Sequence, residues 1–183
     1  DLLGSRGLGD VYKRQIDTGD ALTLSTGNLP AWLSFDASTG TFSGTPLNGD
    51  VGTTQVTVTA TDSQGATVST TFDLTVANTN DAPTLDPIRS VTTKEDAAGI
   101  SGTITATDPD TGDTATYTTS ATVDGFTLNA DGSYTFDPSD AAYQSLPDGQ
   151  SQVLTIPVTV TDAAGATDTQ NLTITLTGTN DIP

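Results

Sequence analysis

The stretch Val56-Thr57-Val58-Thr59-Ala60-Thr61-Asp62-Ser63-Gln64-Gly65-Ala66-Thr67 returns one hundred residues later as Ile156-Pro157-Val158-Thr159-Val160-Thr161-Asp162-Ala163-Ala164-Gly165-Ala166-Thr167. The register then runs without gaps through Leu74/Ile174, Asn80/Asn180, Asp81/Asp181 and Pro83/Pro183. A second echo pairs Asp17-Thr18-Gly19-Asp20 with Asp110-Thr111-Gly112-Asp113. Self-similarity at a fixed offset means tandem units. Inside each copy the apolar residues fall on every second position. Val56, Val58 and Ala60 alternate with Thr57, Thr59 and Thr61, and Phe72, Leu74 and Val76 alternate with Asp73 and Thr75. Leu172, Ile174 and Leu176 repeat the pattern. Period-two alternation with β-branched outer residues predicts half-buried strands. Ser63-Gln64-Gly65 and Ala163-Ala164-Gly165 are short turns between antiparallel neighbours.

Working outward, Phe126-Thr127-Leu128 and Ser133-Tyr134-Thr135-Phe136 flank Asn129-Ala130-Asp131-Gly132, and Asp-Gly supplies the positive-φ turn of a hairpin. No segment carries a helical period; Asp140–Leu146 has room for one turn. Many short strands with regular turns predict an all-β chain of two tandem antiparallel β-sandwiches. The joint is placed in Ala77–Pro87, a short stretch rich in Asn, Asp and Pro, and so a stiff one.

Composition narrows the function. The 183 residues hold 23 acids, 5 bases and no His, for a formal charge of −18. Such a surface repels nucleic acid and anionic membranes and attracts cations. There is no Cys, so disulfides and thiolate metal sites are excluded. Without His or Cys, Ser-His-Asp and Cys-His catalysis are excluded as well. The acids fall at strand ends with no long loop to form a cleft, and an enzyme is not expected. No run of about 18 apolar residues is present to span a membrane as a helix.

Ser5-Arg6-Gly7-Leu8-Gly9-Asp10-Val11-Tyr12-Lys13-Arg14-Gln15 resembles a translated sequencing adapter. Residues 1–15 are therefore set apart as non-native. Beyond them only Arg89 and Lys94 remain as bases.

Sandwich parity places the acids. The first strand of an antiparallel sandwich runs away from the incoming linker and the second returns. Asp108, Asp110 and Asp113, after the second strand, then lie at the incoming end. So does Asp162, in the turn before the last strand, and Asn80 and Asp81 enter there. Two like charges 4 Å apart repel by about 4 kcal/mol at an effective dielectric near 20. A hard cation removes that cost. Calcium, with six to eight oxygen ligands in loose geometry, suits the set better than magnesium or a transition metal. Glu95 and Asp96 follow the first strand, at the far end, where Asn180 and Asp181 leave. Asp17, Asp20 and Asp62 form the matching half-set of the first unit. Asp and Asn are also ordinary turn residues, and for Asp36, Asp124, Asp131 and Asp148 that role suffices.

Residues 16–83 resemble a dystroglycan-type cadherin-like domain of bacterial surface proteins. The resemblance is carried by Asn28-Leu29-Pro30-Ala31-Trp32-Leu33-Ser34-Phe35-Asp36 and Thr39-Gly40-Thr41-Phe42-Ser43-Gly44-Thr45-Pro46. It implies a sandwich lacking its N-terminal strand, with Trp32, Leu33 and Phe35 in the core. Residues 84–183 resemble a VCBS repeat, through Gly102-Thr103-Ile104-Thr105-Ala106-Thr107-Asp108-Pro109-Asp110, the Asp131-Gly132 hairpin and Tyr143-Gln144-Ser145-Leu146-Pro147-Asp148-Gly149-Gln150. The carboxylate layout is similar to cadherin joints. Asn80, Asp81, Asp108, Asp110 and Asp162 match their roles, whereas Asn78 and Ala82 depart from the linker pattern.

These resemblances imply calcium-braced extender repeats of a large repeats-in-toxin-type adhesin at the bacterial cell surface. The implied partners are calcium, neighbouring repeats of the same chain, and glycans or surface proteins met through the parent adhesin. A glycan- or protein-binding module, of an adhesin or of a polysaccharide-degrading enzyme, is the other reading. It requires an exposed aromatic platform or an incompletely coordinated calcium ion.

Overall fold

The computed structural model describes residues 21–180. Residues 1–15, Asp17, Asp20 and Asp181 lie outside the described residues. The chain is all-β, without an α-helix among the described residues, and divides between Thr79 and Asn80 into two compact units.

The first unit contains β1 (Thr23–Thr26), β2 (Leu33–Asp36), β3 (Thr41–Gly44), a 3-10 turn (Asn48–Asp50), β4 (Gly52–Thr61) and β5 (Thr67–Val76). One sheet has the order β1-β4-β5, and β2 pairs with β3 in the other. The quoted repeat is the β4/β5 hairpin, paired antiparallel from Gly52↔Val76 to Thr61↔Thr67. Its alternation sorts the faces as predicted: Val56, Val58 and Ala60 are buried, while the intervening Thr residues face outward. On that outer face Thr57 and Thr71 exchange a hydrogen bond of 3.2 Å, and Thr59 and Ser69 one of 2.8 Å. Such cross-strand pairs are what stabilise a solvated sheet face. Phe35 and Phe42 pack with ring centroids 4.6 Å apart beneath this sheet.

The second unit contains β6 (Thr84–Leu85), β7 (Val91–Lys94), β8 (Ile100–Thr103), β9 (Ala106–Thr107), β10 (Thr116–Thr119), β11 (Phe126–Leu128), β12 (Ser133–Phe136), β13 (Ser151–Thr161) and β14 (Thr167–Thr177). Its sheets are β10-β13-β14-β7 and β11-β12-β8, with β6 paired to β9. Leu172, Ile174 and Leu176 of β14 and Ile156, Val158 and Val160 of β13 are fully buried. Burying one such side chain contributes roughly 1.5–3 kcal/mol. The predicted hairpin forms with Phe126 opposite Phe136. Its turn needs Gly132: φ is +85°, and a Cβ there would collide with the Ile104 carbonyl oxygen. Asp140–Leu146 makes two successive tight turns, closed by Tyr143 N–H to Asp140 O and Leu146 N–H to Tyr143 O, both at 3.0 Å. They set Tyr143 into the core against Phe136, where its hydroxyl donates to Asp124 O at 2.7 Å and burial pushes its pKa up.

Two expectations need correcting. Phe72, an aromatic in the inward-facing phase of β5 and so expected in the core, remains 38% exposed, and among the described residues no strand pairs with the outer edge of β5. Trp32 is only partly buried, while its neighbour Leu33 is sealed.

Candidate metal centre

The incoming end of the second unit is assembled by three segments. Asn80 and Asp81 lead into β6, Asp108–Asp113 follows β9, and Asp162 heads the turn between β13 and β14. Hydrogen bonds knit them together. Asn80 Nδ2 donates to Asp162 Oδ2 at 2.9 Å and to its neighbour's carbonyl, Asp81 O, at 3.0 Å. Asp81 N–H donates to Asp110 Oδ2 at 2.8 Å, and Asp110 N–H to Asp108 Oδ1 at 2.8 Å. Asp113 turns back behind Gly112, whose φ is +87°, and its Oδ1 accepts from Thr114 N–H at 2.6 Å and Ala163 N–H at 3.2 Å. Asp162 closes its own turn by accepting Ala166 N–H on Oδ1 at 2.7 Å.

The result is a carboxylate cluster. Asp108, Asp113 and Asp162 each offer an oxygen, and the three lie within 4.8 Å of one another. Two ligands of one calcium ion, each about 2.3–2.6 Å from it, span that distance. At 4.8 Å each pair of unit charges repels by roughly 3.5 kcal/mol at an effective dielectric of 20, before solvent screening. Beside them Asp110 is 6% exposed, and its Oδ1 is buried with no hydrogen-bond partner. A buried carboxylate oxygen without a partner is costly unless something cationic satisfies it. The donor set is oxygen only, which suits a hard cation. Asp162 is held below the usual carboxylate range, first by the Asn80 amide and then by backbone N–H groups of its turn. It stays ionised, as a ligand must.

The far end holds a smaller set. Glu95, directly after β7, is fully buried. Its Oε1 accepts Thr179 N–H at 2.6 Å, and its Oε2 has no hydrogen-bond partner. Asp96 adopts a left-handed backbone with φ +62°, costly for a residue other than Gly, and its Oδ2 accepts from Thr179 Oγ1 at 3.4 Å. Asn180 follows in sequence. The β14 strand separates this set from the first by roughly 33 Å, given about 3.3 Å per residue.

In the first unit Asp62 repeats the Asp162 turn, its Oδ1 accepting Gln64 N–H at 2.9 Å and Ala66 N–H at 2.8 Å. Of the four residues read as turn formers, Asp36 and Asp131 close turns through their side chains, while Asp124 and Asp148 take part through their backbone. Ser38 N–H and Oγ bond Asp36 Oδ1, Ser133 does the same to Asp131, Asp124 supplies a carbonyl, and Asp148 bridges to Gly178.

Two contributors escaped the sequence reading. Asp168 Oδ2 accepts Leu85 N–H at 2.9 Å, and Gln170 Nε2 donates to Leu85 O at 2.8 Å. Together they clamp β6, and with it the segment carrying Asn80 and Asp81. The signal was present: both are polar residues in phase with the inward-facing Leu172, Ile174 and Leu176.

The family profile described as "Bacterial cadherin-like domain" matches residues 80–178, and the one described as "Putative Ig domain" matches residues 8–77. Both are non-catalytic. Among solved structures, the chain is similar to human mucin-like protocadherin EC1-2, at 18% identity and TM-score 0.59, covering 90% of this chain and 86% of that one. It is also similar to mouse cadherin-23 EC22-24, at 18% identity and TM-score 0.58, covering 86% and 53%. At these identities the likeness shows the fold. Among curated proteins, the serine-rich adhesin for platelets of Staphylococcus aureus strain MRSA252 is 41% identical over 58 residues, 32% of this chain. The homologous protein of strain USA300 is 40% identical over 58 residues. The chain spans 4% or less of the length of these curated relatives.

Proposed function

Since this chain belongs to the bacterial cadherin-like domain family, we propose that it is a calcium-braced extender segment of a secreted bacterial surface adhesin. The carrying observation is the Asp108–Asp113–Asp162 cluster beside the buried, unsatisfied Asp110 Oδ1. A calcium ion there takes oxygens from these aspartates. It ties the entering segment, through Asn80 and Asp81, to the body of the second domain. Glu95 and Asp96, with Asn180 and Asp181, supply half of a second site for the repeat that follows, and Asp17, Asp20 and Asp62 supply half of one for the repeat before. The domains are assigned to residues 16–83 and 84–183, of dystroglycan-type cadherin-like and VCBS character, within a repeats-in-toxin-type parent at the cell surface. Extracellular modules of this kind work with calcium dissociation constants near 10⁻⁴–10⁻³ M, so weak sites suffice outside cells.

Limited proteolysis of the full chain tests the bracing role. Millimolar calcium should slow cleavage within residues 77–87 relative to EDTA. Equal cleavage in both would leave a plain spacer without an ionic brace.

A further inference from the structure

The second unit joins the strands by which the chain enters it directly to the strand by which the chain leaves. β7 lies parallel to β14, with Ile174↔Val91, Thr175↔Thr92, Leu176↔Thr93 and Thr177↔Lys94. Just past β7, Glu95 N–H donates to Thr177 O at 3.0 Å. Backbone groups alternate in direction along a strand, so Val91 and Thr93 also turn theirs to β14, and Thr92 turns its own away. Gly178 N–H goes to Gln150 O at 2.8 Å on the β13 side, which leaves the amides of Thr175 and Thr177 facing β7. Side chains carry the seam beyond both ends of this ladder. At one end Glu95 Oε1 accepts Thr179 N–H at 2.6 Å. At the other, Asp168 Oδ2 accepts Leu85 N–H at 2.9 Å and Gln170 Nε2 donates to Leu85 O at 2.8 Å.

The strand directions give this seam a mechanical meaning. The chain enters ahead of β6 and leaves after β14, at the opposite end of the unit. A pull on those two ends slides parallel neighbours past each other along their length, so the bonds between them are stretched together. The β13/β14 hairpin pulled apart at its open end, Ser151↔Thr177, would instead give way one pair at a time.

We propose that the β7/β14 seam, with the Leu85 and Glu95 links at its ends, holds tension: the second unit passes a stretching force from its first strands to its last as shear, and the rest of the sandwich is spared. The proposal rests on the extender reading, since only a chain held at both ends meets tension.

The chain has no Cys, so introduced cysteine pairs choose the axis of pull. Two versions of the full chain carry handles at exposed positions of the second unit. Ala82→Cys with Asn180→Cys shears β7 along β14, and Ser151→Cys with Asn180→Cys peels β13 from β14. Lifetimes at one constant force are measured in EDTA. The sheared axis should outlast the peeled one by about a hundredfold or more, because bonds worth roughly tenfold each combine when they break together. Along the sheared axis Thr93→Pro, which removes a ladder donor, should shorten the lifetime about tenfold. Thr92→Pro, whose N–H faces away from β14, should leave it unchanged. Tyr143→Phe, which deletes the bond to Asp124 O ahead of β11, should lower the thermal midpoint alone. Equal lifetimes along the two axes overturn the proposal, and that comparison decides by itself if Thr93→Pro does not fold. Equal losses from Thr92→Pro and Thr93→Pro, or a loss from Tyr143→Phe as large as that from Thr93→Pro, overturn it too. Because calcium is withheld throughout, failure here leaves the ionic brace standing, and failure of calcium to bind leaves the seam standing.

Discussion

The hairpins β4/β5 and β13/β14 share their register, their turn and their alternation, yet one is sealed and the other is half open. Val56, Val58 and Ala60 are as buried as Ile156, Val158 and Val160. The difference lies entirely on the outer strand, where Leu172, Ile174 and Leu176 are covered and Phe72, Leu74 and Val76 are not. Alternation therefore decides which face a side chain takes, and the neighbouring strands decide whether that face is dry. The same contrast runs through the acids. Asp62 and Asp162 close the same turn with the same backbone bond, and among the described residues Asp162 also has Asn80, Asp108 and Asp113 around it.

The largest effect that sharpens this comparison is a core truncation at equivalent sites. Ile174→Ala should destabilise the second unit by about 2–5 kcal/mol, as full-burial truncations do. Leu74→Ala, at the equivalent position, should cost less than half as much in the first. Denaturant melts resolving the two units measure both, and equal costs would break the comparison. Next in size is calcium. At about 100 times its dissociation constant, one site should add roughly 2.7 kcal/mol to the second unit and leave the first unshifted. Chelation with EDTA should return the second unit to its starting midpoint.

A smaller effect is on proton affinity. The folded-state pKa of Asp162 lies below its unfolded value of 3.8, so its contribution to stability is complete above that value. The contribution is lost as pH falls through the still lower folded value. Removing the Asn80 amide with Asn80→Ala should raise the Asp162 titration midpoint toward the ordinary carboxylate range. Carboxyl carbon NMR would follow it, and an unmoved midpoint would show that the turn amides alone hold Asp162 down. Asp131 titrates low for a different reason, the Ser133 hydroxyl and amide, and Ser133→Ala should raise it without touching Asp162.

Much of this was legible in the chain itself. The hundred-residue echo located both long hairpins, and Asp131-Gly132 located the third. Strand parity put Asn80, Asp81, Asp108, Asp110 and Asp162 at one end. Other features were hidden because they are short or non-local. Two-residue strands such as Thr84–Leu85 and Ala106–Thr107 are too brief to show a period. The parallel pairing of β7 with β14 joins residues 83 positions apart, which local pattern does not encode. The exposure of Phe72 goes with the lack, among the described residues, of a strand beside β5, which parity does not report. The clamp by Asp168 and Gln170 was written as two polar residues in the inward-facing phase of β14, legible only once Leu85 has a place beside it.

Calorimetric calcium titration of the full chain, run beside an Asp108→Asn/Asp162→Asn variant, tests the central claim most directly. The account predicts saturable heat and a raised melting temperature of the second unit for the native chain, and neither for the variant. No heat and no melting shift for the native chain at 10 mM calcium, or an undiminished response in the variant, would contradict it.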